Sequence, residues 1–393
     1  MTTMTENAFK GALVPPAFLA LGTFAIGTES FMIAPLLPVM AADFGRSVSV
    51  VALLVVVFTL VLALSSPIST VLTGRLRRRS ILLGAMGIFA TGNLLAAFSE
   101  TFAALLVARV MMAVAAGLYI PAANGLAGVI VPPHLRGRAL AFVSAGQTLA
   151  IAFGLPLGGV IGHAFGWRAT FLLVAVMSMT AILGILTGIP RNAGSDVAVP
   201  GLHARVALIG NRAVLRLLAI SLFWSVGAYA AYPYLAEYLA VVLNFGSGAI
   251  TATVSLWGVA AAAGVLSGGA LNDRFGADGV VRTSLAVLGL SFLMLAIATA
   301  MPPNIAFVIV LLAVALWGFT VWSFFPAQMA RLVTAGGRNQ ASVALALNTS
   351  TMYLGFSLGS GLGAMVLAAG AIWGIGAVAA VAEAAALRME LCR

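Results

Sequence analysis

The sequence predicts an all-α membrane protein in which twelve transmembrane helices form two pseudo-symmetric six-helix halves. Its 393 residues are 62% hydrophobic and only 8% charged, with a mean hydropathy of +1.13, whereas soluble domains are about 45–50% apolar and 25% charged. Apolar stretches of about 20 residues, the length of helix that spans a bilayer, recur from end to end. Barrel strands would be about half as long and would alternate.

Charged segments and segments that contain Gly or Pro separate the predicted spans. The spans are 14–40, 48–72, 81–99, 102–130, 139–163, 169–189, 213–243, 249–271, 283–301, 305–330, 341–366 and 370–388. The first is interpreted as a retained helix, because it continues to Met40 without a short hydrophobic core and a small-residue cleavage site.

The longest polar segment, 190–212, is predicted to be a cytoplasmic linker between an N-terminal half (1–189) and a C-terminal half (213–393). The halves match at an offset of about 200 residues: "FAIGTES" at 24–30 aligns with "WSVGAYA" at 224–230. This agreement indicates a duplication. Two parallel repeats are typical of one transporter class, with a substrate site between them, although a repeat can also be purely structural.

The basic residues indicate the orientation of the chain. If the N-terminus is inside, 17 of the 20 Lys and Arg residues are cytoplasmic, and the exceptions are Arg46, Arg109 and Arg168. The positive-inside rule therefore predicts that both termini are cytoplasmic. The net charge of +10 then follows from topology, so no nucleic-acid partner is needed to explain it.

Several chemistries are not supported by the sequence. Cys392 is the only cysteine, so a disulfide framework within the chain is excluded. The histidines, His134, His163 and His203, fall near predicted helix ends or in loops and make a poor metal cluster. A nucleotide-binding Gly-x4-Gly-Lys-Ser/Thr loop is absent, which argues against an ATP-driven pump. We predict no cofactor and no metal.

Four segments carry a resemblance to a known family. They read "GTESFMIAPLLPVMAADFG" (27–45), "LLVARVMMAVAAGLY" (105–119), "GLPLGGVIGHAFGWRATF" (154–171) and "GGALNDRFG" (268–276). With them, nearly the whole chain resembles the major facilitator superfamily, and within it the drug:proton antiporters that include bacterial chloramphenicol and sugar exporters. The resemblance implies the major facilitator fold, alternating access in a bacterial inner membrane, and a cavity lined by helices one, four, seven and ten.

The resemblance also implies gating residues, and the sequence departs from the family pattern at some of them. Leu155 separates Gly154 from Pro156, which are adjacent in much of the family, and Gly74 stands where the first-half loop has an acidic latch residue. The gating candidates are Asp273, Arg274, Arg75, Gly154, Pro156 and Gly158.

Glu29 is a carboxylate in the middle of the first apolar span. At 1.5 Å per residue it lies roughly 16 Å below the outer surface, and Arg109 reaches a comparable level in its own span. Because an isolated charge in the bilayer is costly, both should face the interior. Glu29 is predicted to be a protonation site; the alternative is a structural carboxylate that pairs with Arg109 or caps a broken helix. Arg109 is predicted to hold helix contacts or tune Glu29, or else to touch substrate.

Two further acids lie within spans. Glu237 is a candidate second proton or cation-recognition site, although it could equally reach the outer surface. Glu383 lies on the last span, which in this fold is usually peripheral, so a structural role is favoured for it.

Aromatic residues on spans seven and ten suit an apolar cavity for an amphipathic ligand, although some must pack against lipid or core. The cavity candidates are Thr28, Tyr119, Asn124, Gln147, Tyr229, Tyr232, Trp317, Trp322 and Asn348. On span five, a small-residue stripe that includes Gly154 and Gly158 predicts close packing at the interface between the halves.

The sequence therefore predicts a monomeric secondary transporter that exports a small molecule, a drug such as an amphenicol or a sugar-like metabolite, against inward proton flow. A passive facilitator or importer of sugars or nucleosides is one alternative, in which Glu29 would be structural. A receptor or scaffold that keeps the fold without transporting is the other.

Overall fold

The structure is a computed structural model that describes residues 2–73, 76–132, 135–191, 193 and 211–392. Over these ranges it is helical without strands, and twelve helices are long and apolar enough to cross a membrane. They are α1 (Val14–Asp43), α2 (Val48–Ser69), α3 (Arg78–Ala97), α4 (Phe102–Ala127), α5 (Arg136–Phe165), α6 (Trp167–Gly188), α7 (Arg212–Leu243), α8 (Ser247–Phe275), α9 (Ala277–Ala298), α10 (Pro303–Gly337), α11 (Val343–Ala368) and α12 (Ile372–Leu391). The predicted fold class, with its two six-helix halves, is confirmed.

The observed helices extend beyond several predicted boundaries. The helix α9 begins at Ala277 rather than at residue 283, because the prediction stopped at charged residues whereas Asp278 and Arg282 lie in the first turns of the helix. The helices α10 and α11 are separated only by a kink at Gly337, whose φ of 66° favours glycine. Residues 192 and 194–210, most of the predicted linker, lie outside the described residues.

Both halves have an interrupted first helix. The helix α1 contains a 3₁₀ turn at Ala34–Leu36, and α7 contains one at Tyr232–Tyr234, about 200 residues later. Each turn includes a proline, Pro35 or Pro233, which lacks the N–H that a regular helix needs. The duplicated sequence therefore breaks α1 and α7 at matching points, near the end farther from the chain termini.

The small-residue stripes pack helices within each half. A Cβ atom added at Gly154 would lie 2.2 Å from Thr28 Oγ1, and one added at Gly158 would lie 2.5 Å from Met32 Cβ, so the α5 stripe faces α1. The corresponding stripe of α11 faces α7, with Gly355 against Ser225. The prediction that the α5 stripe packs at the interface between the halves is therefore wrong. Periodicity identifies a close-packing face but not its partner.

The "GWR" segment of the family resemblance ties three helix ends together. The Trp167 indole N–H donates to Asp43 Oδ2 (3.0 Å), and Arg168 donates to the same oxygen (2.6 Å) and to the Ser99 carbonyl (3.0 Å). The Arg168 guanidinium also lies 4.2 Å from the centre of the Trp167 ring. These contacts join the end of α1, the end of α3 and the start of α6.

We call the side on which α1 begins and α12 ends the terminal side, and the other the opposite side. Near the opposite side, the Tyr232 hydroxyl of α7 donates to the Phe31 carbonyl of α1 (2.8 Å), and Gly159 of α5 faces Thr251 of α8. Towards the terminal side, α2 and α4 line a groove of about 400 Å³. The groove is lined by Val61, Leu64, Ser65, Ile68, Ser69, Leu72, Thr73, Val114 and Leu118. The two halves are therefore joined near the opposite side.

Candidate functional site

Glu29 of α1 and Arg109 of α4 form a fully buried ion pair. Arg109 Nη1 contacts Glu29 Oε1, and the two side chains are 1% and 0% exposed. Arg109 Nε also donates to the Leu54 carbonyl of α2 (3.1 Å), and the guanidinium lies 4.1 Å from the centre of the Phe58 ring. Contacts from α2 therefore hold Arg109 in place while α1 supplies its counter-ion.

The helical rotation of α1 explains how Glu29 reaches this position. Successive residues of a helix point about 100° apart, so neighbours face different helices. Thr28 lies against Gly154 of α5, Glu29 faces α4, and Phe31 faces the other half of the molecule. Ser30 satisfies its own hydroxyl by donating to the Ile26 carbonyl (2.8 Å). The apolar segment around "GTESF" thus places one charge between helices and none towards lipid.

The second half contributes tyrosines next to the ion pair. Tyr229 of α7 lies close enough to Arg109 for an electrostatic interaction, and its ring stacks on Phe356 with the centroids 3.7 Å apart. Tyr353 of α11 lies beside the side chain of Gln147 of α5. The predicted residues Glu29, Arg109, Gln147 and Tyr229 therefore lie where helices of both halves meet.

An aromatic cluster surrounds a small cavity beside this centre. The predicted cavity residues Tyr229 and Tyr232 have ring centroids 5.4 Å apart, and Tyr232 lies 6.5 Å from Trp317. Phe31 of α1 contacts Trp322 with the centroids 5.9 Å apart. The cavity is lined by Phe31, Trp224, Ala228, Tyr229, Tyr232, Trp257, Val321, Trp322 and Phe356. The structure thus gathers four of the predicted aromatic residues into one cluster.

The cluster also contains unsatisfied hydrogen-bond donors. Among the described residues, the buried indole N–H groups of Trp224, Trp257, Trp317 and Trp322 have no acceptor. Buried polar groups are usually paired, so unpaired donors beside a cavity are available to the oxygen atoms of a ligand. Apolar rings together with a few donors suit an aromatic, partly polar molecule.

Other predicted residues make local contacts away from the cluster. Tyr119 is buried and donates to the Leu19 carbonyl of α1 (3.1 Å), so it packs α4 on α1. Asn348 is buried with its amide nitrogen 3.9 Å from Met329 Sδ, within the second half. Asn124 is half-buried near the terminal-side end of α4. Glu237 is half-buried near the opposite end of α7, and it has no ion pair in the part of the chain that the structure describes.

The charged network on the terminal side uses residues other than the predicted gating residues. Glu390 of α12 is buried and accepts from Arg331 of α10 (2.6 Å), while Arg282 of α9 lies 3.4 Å from its second oxygen. Arg331 also pairs with Asp278 of α9 (3.0 Å). Asp273 and Arg274 are exposed at the end of α8, and Arg75 lies outside the described residues.

Sequence reasoning missed several residues of the site. Phe31, Trp257, Tyr353 and Phe356 come from α1, α8 and α11, helices on which no aromatic residue was selected. Phe31 follows Glu29 by two positions, which was the one available signal. Buried Glu390 was also missed, and its position at the end of α12 near basic helix ends was the signal for it.

The centre can bind a proton and polar groups. Glu29 offers a carboxylate, Arg109 a fixed cation, and the tyrosines and tryptophans hydroxyl and N–H groups. Over the described ranges, acidic, histidine and cysteine side chains do not gather in threes as a metal site would require. His134 and His203 lie outside those ranges.

Comparisons with known proteins agree with this architecture. The family model described as "Major Facilitator Superfamily" matches residues 19–360. The "Uncharacterized MFS-type transporter YbcL" of Bacillus subtilis (strain 168) is 30% identical over 88% of this chain and 86% of its own length. The "Chloramphenicol resistance protein" of Streptomyces lividans is 34% identical over 66% of this chain and 67% of its own length. A crystal structure of a D-xylose-proton symporter aligns with a TM-score of 0.76 over 97% of each chain, at 16% identity.

Proposed function

Since this chain belongs to the major facilitator superfamily, we propose that it exports a small amphipathic molecule in exchange for protons by alternating access. The chain is a multi-pass membrane transporter and not an enzyme. Proton coupling, direction and substrate make up the proposal. The observation that carries it is the buried Glu29–Arg109 pair beside Tyr229 of the other half.

Glu29 is the proposed proton carrier. When a proton binds its carboxylate, the negative charge disappears and the attraction to Arg109 is lost. Arg109 keeps its bond to the Leu54 carbonyl and its contact with Phe58, so it remains anchored. The freed guanidinium then interacts more strongly with Tyr229, which lines the aromatic cavity, and this rearrangement disfavours bound substrate. A substrate that binds one of the two protonation states of Glu29 better raises the population of that state.

The exchange follows from competition for this centre. Substrate binding favours the form in which deprotonated Glu29 pairs with Arg109, and protonation of Glu29 disfavours bound substrate. Proton release and substrate release therefore occur on different sides of the membrane in a productive cycle. With one proton per substrate, a tenfold proton gradient, worth about 1.4 kcal/mol, supports at most a tenfold substrate gradient.

We infer the conformation from the charge distribution and from the closed side, while the direction of export follows from exchange against inward-moving protons. The positive-inside distribution predicts that the terminal side is cytoplasmic. Contacts such as Tyr232 with Phe31 join the halves near the opposite side. With this orientation, the conformation would load substrate from the cytoplasm and release it outside after the halves rock.

The proposed substrate is a small molecule with an aromatic or other flat apolar part and several oxygen atoms. The aromatic cluster can cover the apolar part, and the unpaired indole N–H groups can donate to the oxygens. Similarity to a chloramphenicol resistance protein makes chloramphenicol the first compound to test.

The test uses purified full-length protein in liposomes with chloramphenicol as the probe. We expect an imposed pH gradient to drive accumulation above equilibrium, and a protonophore to abolish it. A passive facilitator would equilibrate the compound at the same rate with and without the gradient, and that result would overturn the coupling. If a panel of amphenicols, sugars and nucleosides gave no flux above protein-free liposomes, the proposed substrate class would be refuted.

A further inference from the structure

Glu383 is a second fully buried carboxyl group, and the proposed cycle does not use it. It lies in the middle of α12 with 0% exposure. In the part of the chain that the structure describes, both of its carboxyl oxygens lack a hydrogen bond and an ion pair. A peripheral position is expected for a residue of the last span, but α12 turns Glu383 inward against α7 and α9.

Two glycines make the space that the Glu383 side chain occupies. A Cβ atom added at Gly227 of α7 would lie 2.5 Å from Glu383 Oε1, so another side chain there would displace the carboxyl group. A Cβ atom added at Gly289 of α9 would lie 3.6 Å from Glu383 Cβ. The Ala379 carbonyl, one turn earlier on α12, borders the same space at 3.0 Å from the Gly227 position. Glu383 is therefore enclosed by backbone and small side chains.

The charged groups of the surrounding helices are engaged elsewhere. Arg216 of α7 donates to the Met389 and Glu390 carbonyls, and Arg282 of α9 and Arg331 of α10 pair with the Glu390 carboxylate. Asp278 of α9 pairs with Arg331. Glu390 is seven residues beyond Glu383, about 10 Å along the helix. These groups form a separate layer at the terminal side.

The other titratable groups on α7 and α12 lie away from Glu383. Arg212 and Glu237 are near the two ends of α7, and Tyr232, Tyr234 and Tyr238 donate to the carbonyls of Phe31, Ser360 and Leu295. Arg388 of α12 is exposed. Tyr229 of α7 faces Arg109, and it follows Gly227 by two residues, which places it on nearly the other side of the helix. Near the opposite side, α11 meets α12 where Val366 packs against Gly374. Glu383 is therefore surrounded by uncharged groups.

An ionised carboxylate isolated in an apolar interior is so unfavourable that such a group takes up a proton instead. We propose that Glu383 is a proton-binding site that is separate from Glu29 and is occupied in this conformation. The neutral acid has one O–H donor, and the Ala379 carbonyl is an acceptor beside it. A glutamine at position 383 has similar volume and the same lack of charge.

The position of α7 links this site to the transport centre. Gly227 touches Glu383 on one face of the helix, and Tyr229 approaches Arg109 on the other. A shift of α7 relative to α12 would open the enclosed carboxyl group to water and allow the proton to leave. Because the proposal depends only on burial and missing partners, it does not rest on the proposed export function.

Infrared difference spectroscopy on the full chain tests the proposal. A neutral carboxylic acid has a carbonyl band distinct from that of a carboxylate, so native protein minus Glu383→Gln should show a neutral-acid band at neutral and mildly alkaline pH. The same band should persist in Glu29→Gln. If the difference spectrum shows carboxylate bands instead, Glu383 is ionised and the proposal is overturned. Loss of gradient-driven flux in Glu29→Gln is a separate readout, so the two proposals can fail independently.

Labelling of native protein decides the question if Glu383→Gln does not fold. Dicyclohexylcarbodiimide is apolar and adds to a neutral acid: the acid proton moves to one nitrogen while the carboxyl oxygen bonds to the central carbon. The addition therefore needs no other reactant. Mass spectrometry should locate an adduct at Glu383 in native protein and in Glu29→Gln. Labelling at other carboxyl groups with none at Glu383 would overturn the proposal.

Discussion

Replacement of Arg109 by methionine should destabilise the protein strongly, because it leaves the Glu29 carboxylate buried without its counter-ion. The side chains are 1% and 0% exposed, and Arg109 also donates to the Leu54 carbonyl. Removal of one partner from such a pair costs about 3–5 kcal/mol. The measurement is the free energy of unfolding in detergent micelles, followed by tryptophan fluorescence during titration with a denaturing detergent.

The double variant Glu29→Gln/Arg109→Met separates the charge effect from lost packing. Neutral replacement of both partners of a buried pair is often tolerated, so we expect it to recover at least about 2 kcal/mol relative to Arg109→Met. Arg168→Met is a control, because the Arg168–Asp43 pair is about 40% exposed and should contribute less. If the effects of the two single variants simply added, the pair would not be energetically coupled, and the reasoning would be refuted.

Three further predictions concern other contacts. Gly154→Ala should lower the free energy of unfolding by about 1–3 kcal/mol because the added methyl group overpacks the contact with α1. Gly84→Ala is the control, since a Cβ atom there meets nothing within 4 Å and should leave the free energy of unfolding unchanged. Equal effects of the two variants in the same unfolding assay would contradict this prediction. Tyr232→Phe removes a hydrogen bond between the halves that is worth about 1 kcal/mol. The ratio of protein open on the opposite side to closed protein should therefore rise roughly fivefold, as measured by distances between spin labels across that side. An unchanged distance distribution would argue against this role of Tyr232. Glu390→Gln should cost about 1.5–3 kcal/mol because Arg331 loses one charged partner but keeps Asp278, and a neutral result in denaturation would show the network to be dispensable.

Composition and periodicity predicted the architecture because bilayer thickness and the cost of unpaired polar groups leave few solutions. Twelve apolar stretches of the right length could only be helices. The same reasoning brought Glu29 and Arg109 to comparable levels, since Glu29 lies in the middle of its span and Arg109 lies seven residues into its own. Charge at a helix end was less informative: α9 starts at Ala277 because its first turns project beyond the apolar layer.

Partner choice could not be predicted from one sequence. The α5 stripe identified a close-packing face, but whether α1 or the other half occupies it depends on how six helices are arranged. Glu383 was expected at the periphery because α12 is an outer helix, yet rotation of a helix about its axis decides which side chain turns inward. Trp257 joins the aromatic cluster from α8 for the same reason.

The most direct measurement compares two transport modes of Glu29→Gln in liposomes with the compound that native protein carries. Exchange of labelled for unlabelled substrate at equal pH requires no net proton movement, so it should survive in the variant at raised substrate concentration, while accumulation driven by a pH gradient should be lost. Glu100→Gln serves as a matched control, since Glu100 is exposed between α3 and α4 and makes no ion pair with Arg109. Gradient-driven accumulation at the native level in Glu29→Gln would contradict the assignment of Glu29 as the proton carrier.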